Sequence, residues 1–360
     1  MESREMTVRR IAIVAWSLER PGGQSAQAHA LSVQLQKEGY AISFIPMDAP
    51  FSPGLRWVRR CPYVRTLLNQ SLYLPSLVRL RQGDVVHVFA ASYWSFLLSS
   101  VPAIVAARGL GKRIVLHYHS GEAEDHLANW GARVHYWLRL VDEIVVPSVY
   151  LRDVFARYGY RARVIRNLVD TSHFRYRERS RLRPRLLSVR NLEPFYRIDS
   201  TLEAFALLRD RYPNATFTIA GYGRGEGQLR RLAASLGTEG IRFVGRVSPE
   251  DMPSLYGQAD IFVNSSVIDN QPVSILEAFA SGLPVVSTGT GDIGNMARDG
   301  ETGLIVPQGD PAAMAKAVAT LLDDPERALV IARRARREVE KYTWPHVRDE
   351  WAMVYSGKAA

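Results

Sequence analysis

The feature that most constrains this chain is a rhythm. Short apolar runs alternate with helix-like stretches, and they do so in two series. The first series of runs is 11–15, 41–46, 85–89, 114–117, 143–146 and 164–165. The second is 185–189, 216–220, 241–244, 261–264, 284–287 and 303–306. Helical patterns lie between them, such as the one over about 27–38 that Gly39 closes. Strand and helix in alternation predict parallel sheets wrapped by helices, the α/β class. A length of 360 residues suits two domains rather than one. The stretch 171–184 is charged, aromatic and aperiodic, and reads as the linker. The expected domains are 1–178 and 179–343, each a doubly wound α/β sheet. Sheets of this kind bind ligands in the crevice outside their strand C-ends.

Within the second series, residues 269–288 read DNQPVSILEAFASGLPVVST. Asp269 is followed eight positions later by Glu277, and Pro272 marks the expected helix start. This places Asp269 in the lead-in loop and Glu277 on the second helical turn, both able to face one pocket. The backbone around Asn270, Gln271, Pro272 and Val273 would form a helix N-terminus, which is an anion site. A carboxylate before an anion site and another inside the helix suit a ligand with both phosphate and hydroxyls, such as a nucleotide-sugar. The plainer reading is a buried amphipathic helix whose acids cap it or are solvated.

The segment resembles the E-x7-E signature of the retaining, GT-B-fold glycosyltransferases of family four, with Asp269 where the pattern has its first Glu. The resemblance covers nearly the whole chain. It implies two Rossmann-like domains facing a central cleft, with a C-terminal helix, here 344–360, crossing back to the N-terminal domain. It implies that Asp269 contacts hydroxyls of the transferred sugar and that Glu277 holds the ribose. Asn270, Gln271, Pro272 and Val273 would then lie against the donor.

Other stretches carry the same resemblance. Gly22 and Gly23 match a Gly-Gly beside the donor diphosphate. His119, in the run LHYHSGE after a strand, matches the active-site histidine; its implied role is contact with the transferring sugar, while His117 reads as packed in the sheet. Glu122, Glu124 and Asp125 read either as partners of His119 or the acceptor, or as a solvated helix start. Arg190 matches the arginine of a G-R-L-x-x-x-K-G loop that clamps the diphosphate. The lysine of that loop is missing, and Arg197 stands as the expected second cation. Two cations suit the chemistry, because the leaving nucleoside diphosphate gains negative charge as the glycosidic bond breaks. Gly221 and Gly223 resemble the nucleotide loop. Arg246 and Val247 fall in the segment that holds the base. A simple turn remains the plainer reading of the glycines, and a surface position that of Arg197.

Composition narrows the rest. The single cysteine, Cys61, excludes a disulfide framework and suits a reducing cytoplasm. The N-terminal apolar run is too short for a signal core or a membrane span. The net charge is +10, but no nucleic-acid-binding pattern accompanies it, so no nucleic acid is expected as partner. Arginines with aromatics over 51–82 have two readings. One is an amphipathic helix docked on the anionic inner face of a membrane, near a lipid-linked acceptor; the other is a core-packed helix with a solvated basic face. No metal-ligand spacing, strand-end Asp-x-Asp or P-loop is present, so metal-independent chemistry is expected, with no cofactor beyond a nucleoside-diphosphate sugar as co-substrate. The expected activity is retaining sugar transfer to a hydroxyl of a carbohydrate, lipid-linked or small-molecule acceptor. A nucleotide-sugar epimerase on the same fold is one alternative. A non-catalytic sugar-nucleotide-binding protein is the other, motivated by the missing lysine and the Asp for Glu.

Overall fold

A computed structural model describes residues 9–19, 22–48 and 61–357. Pro21 and the segment 51–60, with Arg56, Trp57, Arg59 and Arg60, lie outside the described residues. The chain forms two compact units: 1–168 together with 347–360, and 169–346. The expected boundary at 178 therefore falls late. Phe174 and Arg179 are buried in the second unit, the ring of Phe174 standing 5.5 Å from that of Tyr256.

The first unit holds β1 (Arg10–Ala15), β2 (Ala41–Pro46), β3 (Val85–Ala90), β4 (Arg113–Tyr118), β5 (Glu143–Val146) and β6 (Ala162–Val164). They form one sheet in the order β2-β1-β3-β4-β5-β6, and every pairing is parallel. The strand order reverses between β1 and β3. The second unit holds β7 (Arg185–Val189), β8 (Thr216–Ala220), β9 (Ile241–Gly245), β10 (Ile261–Asn264), β11 (Val285–Thr288) and β12 (Leu304–Val306). Its sheet, also parallel, runs β12-β11-β10-β7-β8-β9. Counted from β7, this is the doubly wound 3-2-1-4-5-6 order, and its switch point lies between β7 and β10.

Strands buried on both faces have apolar residues at successive positions, which is why the runs stood out in the sequence. Leu186, Ile219, Val263 and Val286 face one core of the second unit. Their neighbours Leu187, Phe262 and Val285 face the other. In the first unit, Val86, Val88, Ile114 and Leu116 share a core with Tyr73 and Phe155.

The last helix, Trp344–Ser356, buries Val347, Trp351, Val354 and Tyr355, the face that its spacing predicts. From Val347 on it belongs to the first unit. Trp351 packs 5.1 Å from the rings of both His87 and His117.

Candidate functional site

The chemistry-bearing residues of the second unit gather at its switch point. Arg190 leaves the C-end of β7, and Asn264 ends β10 beside it. The Arg190 guanidinium donates from Nε to Asn264 Oδ1 at 2.9 Å and from Nη2 to Asp269 Oδ2 at 2.6 Å. Both partners of the ion pair are nearly buried, with side chains 9% and 10% exposed. Tyr196 lies against the guanidinium, its ring centre 5.0 Å from the central carbon. Asn264 is fixed in turn: Ser266 Oγ donates to its Oδ1, and its Nδ2 donates to Ser287 Oγ on β11. Arg190, at the end of β7, is thus aimed by residues at the ends of β10 and β11.

Two glycines allow this arrangement. A Cβ on Gly221 would stand 1.7 Å from the Arg190 carbonyl oxygen, and the φ of +147° at Gly221 is also unfavourable for any other residue. The glycines after β8 therefore have a packing role: they let the 221–225 loop approach the 190–192 loop. Gly221 N–H also donates to Gly245 O, bringing the β8 and β9 ends together. At the β9 end, Arg246 lies over the Tyr222 ring at 4.7 Å, and Val247 follows, half-buried. Gly291 does for Asp269 what Gly221 does for Arg190. Its φ is +59°, and a Cβ there would stand 2.2 Å from the Asp269 carbonyl oxygen.

The helix Val273–Ala280 follows, with Pro272 as its extended N-cap residue. Pro272 has no N–H, so it adds no donor to the anion site expected there. The amides of Val273 and Ser274 stand in the first turn, where no intrahelical carbonyl reaches them. Asn270 and Gln271 are buried. The Gln271 amide donates to Asp292 Oδ2 at 3.2 Å, and the Asn270 carbonyl accepts from Asp292 N–H.

Glu277, on the second turn, accepts from the Tyr256 hydroxyl at 2.7 Å. Burial raises its carboxyl to about 7, against the opposing pull of the Tyr256 hydrogen bond and the Arg190 charge. Nothing in the sequence singled out Tyr256, Asn264, Ser266, Ser287 or Gly291. Tyr256 belongs to an ordinary helix, Met252–Gln258, and its role depends on contact with a segment far along the chain.

Arg197 differs from expectation. Its backbone is left-handed, at φ 48°, the conformation that favours glycine. The Arg197 Nε donates to both carboxylate oxygens of Asp199, at 3.1 and 3.0 Å. Its carbonyl accepts from Ser265 Oγ.

In the first unit, Gly22 precedes the helix Gly23–Lys37. Its N–H donates to Ser25 Oγ, which donates back to the Gly22 carbonyl. A Cβ at Gly22 or Gly23 would meet nothing within 4 Å, so these glycines border open space, unlike Gly221. His119 follows β4. Its backbone N–H donates to Ala90 O, and its ring stacks on Phe89 at 5.3 Å and lies 4.0 Å from His117. Burial lowers His119 to about 3, so the ring is neutral. Its Nε2 is buried with no hydrogen-bond partner among the described residues.

His117 is packed in the sheet, its Nδ1 3.3 Å from His87 Nε2. His87 Nδ1 in turn shares a hydrogen bond with the Tyr355 hydroxyl at 2.9 Å. The acids after His119 have other partners: Glu122 accepts from Ser92, Glu124 from Arg157 and Asp125 from Tyr93. Among the described residues, no three His, Cys, Asp or Glu side chains are placed to hold a metal ion.

Residues 173–338 match the family model described as glycosyl transferases group 1, and residues 21–173 match the one described as Glycosyltransferase Family 4. The glycogen synthase of Mycobacterium tuberculosis is 32% identical over 292 residues, covering 76% of this chain and 68% of that protein. The chain belongs to the group 1 glycosyltransferases. This glycosyltransferase also resembles the D-inositol 3-phosphate glycosyltransferase of Salinispora tropica, at 30% identity over 228 residues, 61% of this chain and 46% of that one. Its fold matches the crystal structure of Anabaena HepE in complex with UDP and glucose. The TM-score is 0.73 at 17% identity, with 97% of this chain and 99% of that chain covered. Sucrose-phosphate synthase from Thermosynechococcus elongatus gives the same TM-score, 0.73 at 17% identity, over 97% of this chain and 98% of that one. The architecture is GT-B.

Proposed function

We propose that this glycosyltransferase moves a sugar from a nucleoside-diphosphate sugar to a hydroxyl of a carbohydrate, lipid-linked or small-molecule acceptor, with retention of anomeric configuration. The observation that carries this reading is Arg190: a nearly buried guanidinium, aimed by Asn264 and Asp269, at the switch point of a Rossmann-like sheet. Arg190 and the first-turn amides of the helix Val273–Ala280 take up the charge that develops on the leaving diphosphate. Glu277 receives the ribose hydroxyls. Asp269 serves first as the anchor of Arg190 and, beside it, as a sugar contact. His119, a neutral ring at the end of β4, contacts the sugar in transit. The bond between the anomeric carbon and the phosphate oxygen breaks. The acceptor oxygen bonds to that carbon on the same face, and its proton passes to the departing phosphate oxygen, so no separate base is required.

The test is thermal-shift binding with UDP, GDP, ADP and their common sugar derivatives, followed by transfer assays with the donor that binds. A shift with one nucleotide and its sugar that Arg190→Ala removes supports the reading. A binding donor that is neither transferred nor hydrolysed would favour a sugar-nucleotide-binding protein. The pairing of Arg197, the expected second cation, with Asp199 is the observation on that side.

A further inference from the structure

The helix Pro62–Ser76 and the turn Leu77–Gln82 that continues it are apolar on two sides. One side is spent on the fold. Tyr73, Leu77 and Leu80 are buried; the Tyr73 hydroxyl donates to Ser99 O, and Asn69 donates to Met47 O. The other side carries Tyr63, Leu67, Leu74 and Val78, spaced by four, seven and four residues, which aligns them along one helical stripe. All four are exposed: Tyr63 by 88%, Leu67 by 72%, Leu74 by 48% and Val78 by 58%. Val64 flanks them, also exposed.

Charge decides what such a stripe can meet. From Phe51 to Gly83 the sequence has six arginines and no Asp or Glu. Arg79 and Arg81 are exposed beside the end of the stripe. An apolar stripe flanked by arginines, with no acid to repel an anionic surface, matches a helix lying in a headgroup layer. It does not match a spanning segment: among the described residues no helix is long and apolar enough to cross a membrane.

We propose that this stripe docks the protein, peripherally, on an anionic lipid surface. Tyr63, Leu67, Leu74 and Val78 enter the boundary between headgroups and acyl chains, while Arg79 and Arg81 engage lipid phosphates. The proposal stands apart from the sugar-transfer reading, which survives its failure.

The experiment is co-sedimentation of the full chain with phosphatidylcholine vesicles, with and without phosphatidylglycerol, at low and high salt. Binding is expected only with phosphatidylglycerol and is expected to weaken with salt. Each arginine brought to the surface is worth about fivefold. The double substitution Leu67→Glu with Leu74→Glu should reduce binding by about tenfold or more. Both side chains are exposed, so the melting temperature and the shift with donor nucleotide should stay as in the parent. Arg79→Glu with Arg81→Glu, equally exposed, should abolish binding at low salt. Failure of the parent protein to bind anionic vesicles at low salt would overturn the proposal, as would undiminished binding by the Leu67/Leu74 variant. A dimer in sedimentation velocity that dissociates on the Leu67/Leu74 substitution would assign the stripe to a second copy instead, and would also overturn it.

Discussion

On the proposed role of Glu277 in holding the ribose, donor binding should depend on pH, with Tyr256 setting where. The free carboxyl lies at about 7, raised by burial. A ribose needs the carboxylate, which accepts from two hydroxyls; the protonated form offers less. About a tenth of the protein is ionised at Glu277 at pH 6, half at pH 7 and nine-tenths at pH 8. Apparent affinity for a nucleotide-sugar should therefore rise about fivefold from pH 6 to 7, and no more than about twofold above that. Tyr256→Phe removes a hydrogen bond to the charged form, worth about 1.5–3 kcal/mol. That raises the carboxyl by a further one to two units or so and weakens binding at pH 7 by about five- to fiftyfold. The gap should close as pH rises.

The sign for stability is opposite to that for binding. Between the ordinary glutamate value of 4.5 and about 7, the folded chain holds a proton that the unfolded chain has released. Glu277 therefore makes the fold less stable as pH rises through that window, and the loss is complete above it. Titration calorimetry from pH 6 to 9, with the donor found by the thermal-shift panel, reads the binding side. An intact nucleotide-sugar is the proper probe, because its diphosphate stays ionised throughout, whereas a free nucleotide's terminal phosphate would add its own titration. A flat profile for the parent protein between pH 6 and 8 would refute the role of Glu277. An equal loss at every pH in Tyr256→Phe would show that Tyr256 acts through the helix, where its hydroxyl also donates to Ser274 O, rather than through the carboxyl.

Two other substitutions test the architecture around this site. Arg179 is buried, pairs with the buried Asp260 at 3.4 Å and donates to the carbonyls of Arg177, Tyr256, Ala259, Ser281 and Gly282; Arg179→Met removes all of these contacts, leaving Ala259 O and Ser281 O only their bonds from Arg177, and should cost about 3–5 kcal/mol, seen in scanning calorimetry as a transition of the second unit lowered by about 10 °C. Arg197→Gly relieves a left-handed arginine and should stabilise by up to about 1 kcal/mol with donor affinity unchanged, whereas a tenfold loss of affinity in calorimetric titration would make Arg197 a phosphate contact after all.

The sheets were legible because buried parallel strands read as unbroken apolar runs. Residues 185–189, 216–220 and 261–264 are strands as the sequence implied. Helix starts were less so. The first helix begins at Gly23 rather than near Gln27, because Ser25 closes hydrogen bonds onto Gly22 without an ordinary capping side chain. Arg190, Asp269 and Glu277 were each singled out by local pattern. Their coupling was not: the Arg190–Asp269 pair depends on Asn264 and Gly291, which sit on other strand ends. The left-handed backbone of Arg197 and its pairing with Asp199 were not legible, because spacing counts charges and does not reveal φ. His87 and Tyr355 lie 268 residues apart, beyond the reach of any periodicity.

That last contact has a consequence for how the protein is made. The second unit is one continuous stretch, 169–346, whereas the first is completed only by residues from Val347 on. On the ribosome, His117 emerges long before Tyr355; at ordinary elongation rates the wait is roughly ten to fifty seconds. Throughout that interval His87, His117 and the sheet around them lack Trp351 and Tyr355, and the second unit, whose core includes Val339 and Tyr342, is itself completed only a few residues earlier. A released chain truncated before Trp351 would carry all of the C-terminal unit on an unfinished N-terminal one, so chaperones and proteases should engage it at the half that was synthesised first.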